Sequence, residues 1–377
     1  MKLETFRYLN GAWSRPFPDL DAERTMVLAF AAASFRARPA LMIELAAAYP
    51  RSAMIGCSAA GEIDQTQIRD GSVTVAVVQF ERTRVRQAEA PIETPGDGYA
   101  AGVRLAAELV SPELRAVMVL APGSDGNGQA MVTGLRARLP ARVVVTGGLA
   151  GGRDRSDPTW VVASGRIDPA HAVAVGLYGE HVRVRHGSGG GWNPLGPEHV
   201  VTRAKGNVVF ELDNRPALAR YKELLGDRAA GLPASARRFP LVVRATEDDD
   251  HSVARTVIGI DDAAQALTLA AEVSAGALVR LAQVAPELLI QGAHAAGSAA
   301  NARLEGPVLC VAISGVGRRR VLGERCEQEI AATLDALPVG TAQVGFYGHG
   351  EIARHAVSGR CELHNETMVL TVLGEAG

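Results

Sequence analysis

At 377 residues, with 47% apolar and 21% charged side chains, the chain is long enough to bury more than one core, which excludes global disorder. Its 39 basic and 41 acidic residues leave a formal charge of −2, too little positive potential for wholesale nucleic-acid binding. Met1 to Phe6 lack the basic-then-apolar order of an export signal, and every apolar run breaks short of the roughly 18 residues a bilayer needs, so a cytoplasmic protein without membrane contact is expected.

In chain order, residues 1–24 carry Pro16 and Pro18 without a clear period and read as a loop-rich lead-in. The fold is expected to begin with a β-α-β unit: a buried strand over 25–30, a helix over 40–48 and a strand over 52–55. The last strand runs into the small-residue stretch Gly56-Cys57-Ser58-Ala59-Ala60-Gly61-Glu62-Ile63, at the carboxyl end where open α/β sheets gather ligands. The pattern recurs: the strand over 116–120 ends in a glycine-rich loop over 122–128, and the strand over 142–145 ends in Gly147-Gly148-Leu149-Ala150-Gly151-Gly152. Alternating segments over 72–80, 159–167, 172–178 and 181–186 suit hairpins on mixed sheets.

A second region opens after Pro216, with a helix over 217–225 capped by Gly226. Strands over 240–244, 253–260, 308–313 and 343–344 alternate with helices around 285–300 and 322–337, and the acidic run over 247–250 reads as a solvated turn. The expected organisation is a lead-in over 1–24, one α/β domain over 25–215 and another over 216–377, each with mixed sheets flanked by helices. One internal similarity ties them: Gly56-x-x-x-x-Gly61-Glu62-Ile63 is matched by Gly345-x-x-x-x-Gly350-Glu351-Ile352. Two related halves would explain this, and facing turns would line one shared cleft.

These residues resemble the FIST family, a two-part intracellular sensory module. In the first half the resemblance rests on the stretch from Gly56 to Ile63, on Asp125-Gly126-Asn127-Gly128 with Val132-Thr133-Gly134-Leu135, and on Gly147 to Gly151. In the second half it rests on Gly191-Trp192-Asn193-Pro194-Leu195-Gly196, Glu211-Leu212-Asp213, Pro216-Ala217-Leu218, Gly317 to Gly323, Gly345 to Ile352, and Leu363-His364-Asn365-Glu366-Thr367. It implies a sensor of small ligands rather than an enzyme. The free-standing group of the family further implies haem, a response to nitric oxide and regulation of a partner histidine kinase, diguanylate cyclase or phosphodiesterase; a homodimer stays open. Gly152 and Ser314-Gly315 depart from the family pattern, so no role is transferred to them.

Haem needs an axial donor, an apolar slot and groups for its propionates. Alternation puts His186 on the face of Val182 and Val184, pointing inward, either as a core imidazole or as an iron donor ahead of a flexible glycine loop that carries Trp192. His349 sits inside the recurrent turn and is the other candidate metal ligand. Cys361-x-x-His364 is only half of a zinc pattern. Glu62 and Glu351 either face each other or a ligand amine, or accept hydrogen bonds from their own turns. Of three adjacent arginines, Arg318 is expected to clamp a carboxylate or propionate. The expected ligand-lining set is Cys57, Ser58, Glu62, Trp192, Arg318, Tyr347, Glu351, His364 and Asn365. A hydrolase built on Cys57 or Ser58 is the disfavoured alternative, because the second glycine comes one residue late for a nucleophile elbow. The four scattered cysteines are expected to be free thiols, and a sensor of an amino acid without haem is the runner-up reading.

Overall fold

The computed structural model describes residues 1–94, 96–123, 128–154, 157–247, 252–301, 304, 306–355 and 358–377. The loop motif over 124–127 and the acidic turn over 248–250 lie outside the described residues. The architecture is α/β with mixed sheets flanked by helices, as expected, and the internal repetition goes one step further: the two matched turns are two of three.

Each repeat contains a pair of parallel strands joined by a helical crossover: Thr25–Ala32 with Ala53–Ala59, Leu114–Ala121 with Val144–Leu149, and Leu309–Gly315 with Ala342–Gly348. A hairpin follows the second strand of each pair, and an antiparallel strand then returns beside the first, namely Val73–Gln79, His171–Tyr178 and Met368–Glu375. An outer strand completes each sheet: Lys2–Leu9, Arg84–Pro91 and Val182–Gly189.

The hairpins do not stay with their own repeat. Glu62–Asp64 of the first repeat pairs with Ala342–Gly348 of the third, Val161–Ala163 of the second pairs with Ala53–Ala59 of the first, and Gly350–Arg354 of the third pairs with Val144–Leu149 of the second. Three sheets are thereby closed into a ring by cyclic exchange, and each repeat lends a strand to the next.

The ring encloses one core, and side-chain alternation divides each parallel strand between two layers. Met26, Leu28 and Phe30 point into the central cluster with Met118, Leu120, Val311, Ile313 and Phe346, while Val27, Ala29 and Ala31 face the outer layer. Both faces are covered, which is why these strands read as unbroken apolar runs. Phe30 meets Phe346 across the centre with ring centroids 4.9 Å apart.

The helix Pro286–Ala300 carries proline in its first turn and buries Leu289, Ala293, Ala296 and Ala300 at helical spacing. It lies so close to Val182–Gly189 that a Cβ on Gly187 would stand 2.0 Å from the Ala296 carbonyl oxygen, and one on Gly189 1.9 Å from that of Gly292. The first glycines of the expected flexible loop are therefore strand, chosen for close approach.

Between Val182–Gly189 and that helix the third repeat hosts an inserted domain. Its long antiparallel sheet includes Trp192–Lys205, Leu241–Arg244 and Leu278–Val284, and the helix Ala217–Leu225 helps cover a separate core that contains Val201, Leu218, Tyr221, Phe239 and Leu281. The expected boundary at 215/216 falls within this insertion, at the short strand Arg215–Pro216 just before the helix. Residues 1–24 are not all lead-in: Lys2–Leu9 pairs along Val73–Gln79. Its place near the sheet edge leaves only Phe6 fully buried, and this erased the period.

Candidate functional site

The three turns after the parallel strands begin with equivalent glycines. A Cβ on Gly56, Gly147 or Gly345 would stand 2.2, 1.8 or 1.8 Å from the carbonyl oxygen of Ala29, Val119 or Ala312 on the neighbouring strand, so no larger residue fits. The turns then meet one another. Ala60 N–H donates to Tyr347 O at 2.8 Å, Tyr347 N–H to Gly61 O at 3.0 Å, Gly151 N–H to Ser58 O at 2.8 Å and His349 N–H to Leu149 O at 3.1 Å. Backbone fills their junction, and the single shared cleft expected from two facing turns is replaced by separate clefts, one beside each parallel strand pair. That is where open α/β sheets place ligands.

The third-repeat cleft has the richest chemistry. Its cavity of about 400 Å³ lies between the ring, including Gly315, Gly317, Arg320, His349, Glu351 and Glu366, and the inserted domain, including Arg237 and Thr256. Two carboxyls form its floor. Glu351 is fully buried; one oxygen accepts from Thr367 N–H at 3.2 Å and the other, Oε1, has no partner. Glu366 is 2% exposed; Oε1 accepts from Thr256 Oγ1 at 2.8 Å across the domain boundary, and Oε2 has no partner. Asn365 Oδ1, beside them, is also unpartnered.

Burial, reinforced by the neighbouring Glu366 carboxyl, pushes Glu351 well above the usual carboxylate range. Burial likewise pushes Glu366 up to about 7, against the pull of the Thr256 hydroxyl and the Arg318 guanidinium. Space for these groups is provided by two glycines: a Cβ on Gly315 would lie 3.1 Å from Glu351 Oε1, and one on Gly317 1.9 Å from Glu366 Oε1. In the same cleft, Arg320 contacts Arg153 O at 2.5 Å and Asp154 Oδ1 at 3.3 Å, with Arg237 near enough to lower its affinity for a proton after burial has done so. The cleft thus sets an acidic floor against a guanidinium rim.

His349 lines the same cleft, with Nδ1 3.3 Å from Gly123 O and Nε2 3.4 Å from Gly152 N. Since the amide donates, Nε2 accepts and Nδ1 carries the proton, which makes a neutral ring tied to backbone at both nitrogens. Of the eleven expected site residues, His349, Glu351 and Asn365 line this cleft, and Glu62 lines its counterpart in the first repeat.

The other seven are placed elsewhere. Cys57 is in the central core, and burial pushes its thiol well up. Ser58 is buried, donates to Gly151 O at 2.8 Å and accepts from Trp160 N–H at 3.2 Å. Arg318 clamps no ligand. It is fully buried against Glu329, Nε to Oε1 at 2.6 Å, and also donates to the carbonyls of Glu366 and Leu289. Tyr347 donates to the same Glu329 at 2.7 Å. Trp192 packs beside Val321 and Leu322, and the buried His364 ring stacks on His355 with Nε2 3.2 Å from Ala353 O.

His186 does keep the face of Val182 and Val184, but it is half-buried on an outer strand opposite Thr371 and lines none of these clefts. Burial, then Arg354 and Arg185, lower its affinity for a proton. Sequence reasoning passed over Glu366, Arg320 and Thr256. Glu366 directly follows Asn365 in the quoted motif, so the signal was adjacent. Among the described residues no group of three or more His, Cys, Asp or Glu is placed to hold a metal ion. No described helix is long and apolar enough to cross a membrane.

Comparison with known proteins adds the following. The chain is 29% identical over 255 residues to the uncharacterized proteins MT0656 and Rv0628c of Mycobacterium tuberculosis, a match over 63% of this chain and 62% of theirs. It is 29% identical over 239 residues to the uncharacterized protein Mb0898c of Mycobacterium bovis, over 61% of this chain and 60% of that one. The chain thus spans about three-fifths of the length of the curated relatives it matches. A crystal structure of cyanuric acid hydrolase from A. caulinodans aligns over 93% of this chain and 90% of its own with 8% identity and a TM-score of 0.34, too low to bear on fold or chemistry. The FIST N domain matches residues 25–215 and the FIST C domain residues 217–354. Since those two matches cover most of its length, the chain belongs to the FIST family.

Proposed function

We propose that this chain, whose FIST domains are sensory domains for small ligands, senses a small amphoteric molecule, a free amino acid or close analogue, in the third-repeat cleft. The observation that carries the reading is the pair of buried, unpartnered carboxyl oxygens on Glu351 and Glu366, which line one cavity of about 400 Å³ together with Arg320 and Arg237. An ammonium group satisfies the first pair and a carboxylate the second, each by charge-assisted hydrogen bonds. The ligand would lie between the ring and the inserted domain, where Thr256 and Glu366 join the two, so binding favours one arrangement of these bodies over another. Such differential affinity is what a sensor requires.

The haem and nitric-oxide reading rests on family resemblance and gains little from the geometry. His349 has both ring nitrogens engaged, its cleft has acids for a floor, and His186 lines no described cleft. A catalytic role finds equally little support, because the candidate nucleophiles Cys57 and Ser58 are buried. The listener, a histidine kinase, a diguanylate cyclase or a phosphodiesterase, is likewise proposed from the family alone. A cytoplasmic location is proposed from the sequence itself, and a homodimer stays open.

The test is a thermal-shift titration of the full chain with each of the twenty L-amino acids. At least one should raise Tm by several degrees, an effect lost in Glu351→Gln and Arg320→Gln. If no amino acid shifts Tm while anaerobic haem gives a stoichiometric Soret band lost in His349→Ala, the haem reading replaces this one.

A further inference from the structure

We propose that the first repeat holds a second ligand site, built on Glu62, for a molecule that presents an ammonium N–H to that carboxyl and an anionic group to Arg36 and Arg153. The cleft there measures about 600 Å³, and its lining includes Ser34, Arg36, Ala59, Glu62, Asp70 and Arg153.

Glu62 is 1% exposed; its Oε2 accepts from both Ser72 N–H and Ser72 Oγ at 2.9 Å, and its Oε1 has no partner. Glu351 has the same arrangement in the third cleft, where Thr367 N–H supplies one oxygen and leaves the other unmatched. A carboxyl buried with one oxygen unmatched is costly to the fold, and a donor arriving from the cleft would remove the cost. All three repeats build this cleft. Arg153 comes from the second repeat, directly after its glycine turn, and Arg319 of the third repeat holds Asp70 through two contacts of 2.9 and 2.8 Å. With Asp70 neutralised in this way, Arg36 and Arg153 remain to meet an anionic group.

The two clefts differ in ways that predict different ligands. The first has one floor carboxyl where the third has two, and the inserted domain contributes nothing to its lining. It therefore takes a longer amphoteric molecule and holds it less tightly. That the ligand is amphoteric like the one proposed for the third cleft rests partly on that reading. The existence of the site rests on Glu62 alone.

Ligand-observed saturation-transfer NMR on the full chain, with the twenty L-amino acids as probes, separates the possibilities. Ser34→Trp places a bulky plug on an exposed position of the first cleft, and Ala234→Trp does the same at the third. The expected result is at least one amino acid whose binding weakens tenfold or more in Ser34→Trp and in Glu62→Gln but persists in Ala234→Trp. If every bound amino acid is lost in Ala234→Trp and untouched by the other two substitutions, this proposal falls and the third-cleft reading stands. If every bound amino acid is lost in Ser34→Trp and Glu62→Gln and none in Ala234→Trp, this site stands and the other falls; loss in Ser34→Trp with Glu62→Gln unaffected overturns this proposal, and no binding by any amino acid overturns both.

Discussion

Glu366 in the third repeat stands where Gly71 stands in the first, and both hold left-handed backbone, with φ of 54° and 76°. The correspondence is fixed by the next residue, since Thr367 N–H donates to Glu351 as Ser72 N–H donates to Glu62. Glycine adopts this conformation freely, whereas a residue with a Cβ is held there at a cost of about 1 kcal/mol. The third repeat accepts that strain and gains a second buried carboxyl on the cleft floor. Strain at a cleft-lining position makes Glu366 a residue to test for function.

Glu366→Gly should accordingly separate stability from binding. The substitution relieves the backbone and removes a buried acid, at the loss of the Thr256 contact. Tm should stay within a few degrees of wild type, while affinity for the amphoteric ligand falls at least tenfold. A large fall in Tm with unchanged affinity would make Glu366 a structural tie between ring and insertion and nothing more.

Arg318 is predicted to matter for folding rather than recognition. Its ion pair with Glu329 is fully buried, and Ser314 and Tyr347 also donate to that carboxylate. Arg318→Met leaves the acid without its cation, which costs about 3–5 kcal/mol in buried pairs. Adding Glu329→Gln removes the stranded charge, so the double variant should recover part of the loss in urea unfolding. If Arg318→Met unfolds like wild type but fails to bind, the guanidinium belongs to the site after all.

Much of this was legible in the sequence, and the failures have physical causes. Glycine spacing gave the turns of the first and third repeats. The same spacing, Gly147 to Gly152, marks the second, but its hairpin strand starts only at Val161, which pairs with Cys57 as Glu62 pairs with Phe346, so no glutamate follows the glycines and the likeness is hidden. The sequence favours Arg318 only because it stands next to Gly317, and adjacency says nothing about helix phase. In the short helix Val316–Leu322, Arg318 turns into the core and Arg320 reaches the cleft. Cys57, Ser58 and Tyr347 looked exposed at a strand end, yet both faces of those strands are covered, one by the central core and one by an outer layer. Long-range strand exchange, which closes the ring, leaves no local trace.

Acid titration provides a third test. Burial pushes Glu62 up from 4.5 to about 8, although the Ser72 amide and hydroxyl oppose it. The native state therefore keeps a proton that the unfolded chain releases, and stability falls as pH rises through that window. Glu351 and Glu366 act in the same direction. Glu375 acts oppositely: donors from Glu81, Arg82 and Thr83 override its burial and hold it at about 2, so its contribution is present above the ordinary carboxylate range and disappears in strong acid. Glu62→Gln should flatten the decline in urea-unfolding free energy between pH 5 and 8, and saturating ligand should flatten it further if it engages the ionised acids. A variant with the wild-type slope would mean that Glu62 is already ionised in the native protein.

The three glycines that open the turns give the sharpest check on the ring itself. Gly56→Ala, Gly147→Ala and Gly345→Ala each drive a Cβ into a strand carbonyl, at contact distances of 2.2, 1.8 and 1.8 Å that no side-chain adjustment relieves. Gly147 also holds a φ of 140°, which adds to its cost. All three should lose several kcal/mol or fail to yield folded protein. Gly71→Ala is the control, because nothing lies within 4 Å of its added Cβ and only the left-handed backbone resists, at about 1 kcal/mol. The informative member is Gly147, in the turn that lacks the glutamate. If Gly147→Ala melts like wild type while Gly56→Ala and Gly345→Ala collapse, the second turn is out of register with the others, and the equivalence that relates the clefts is lost.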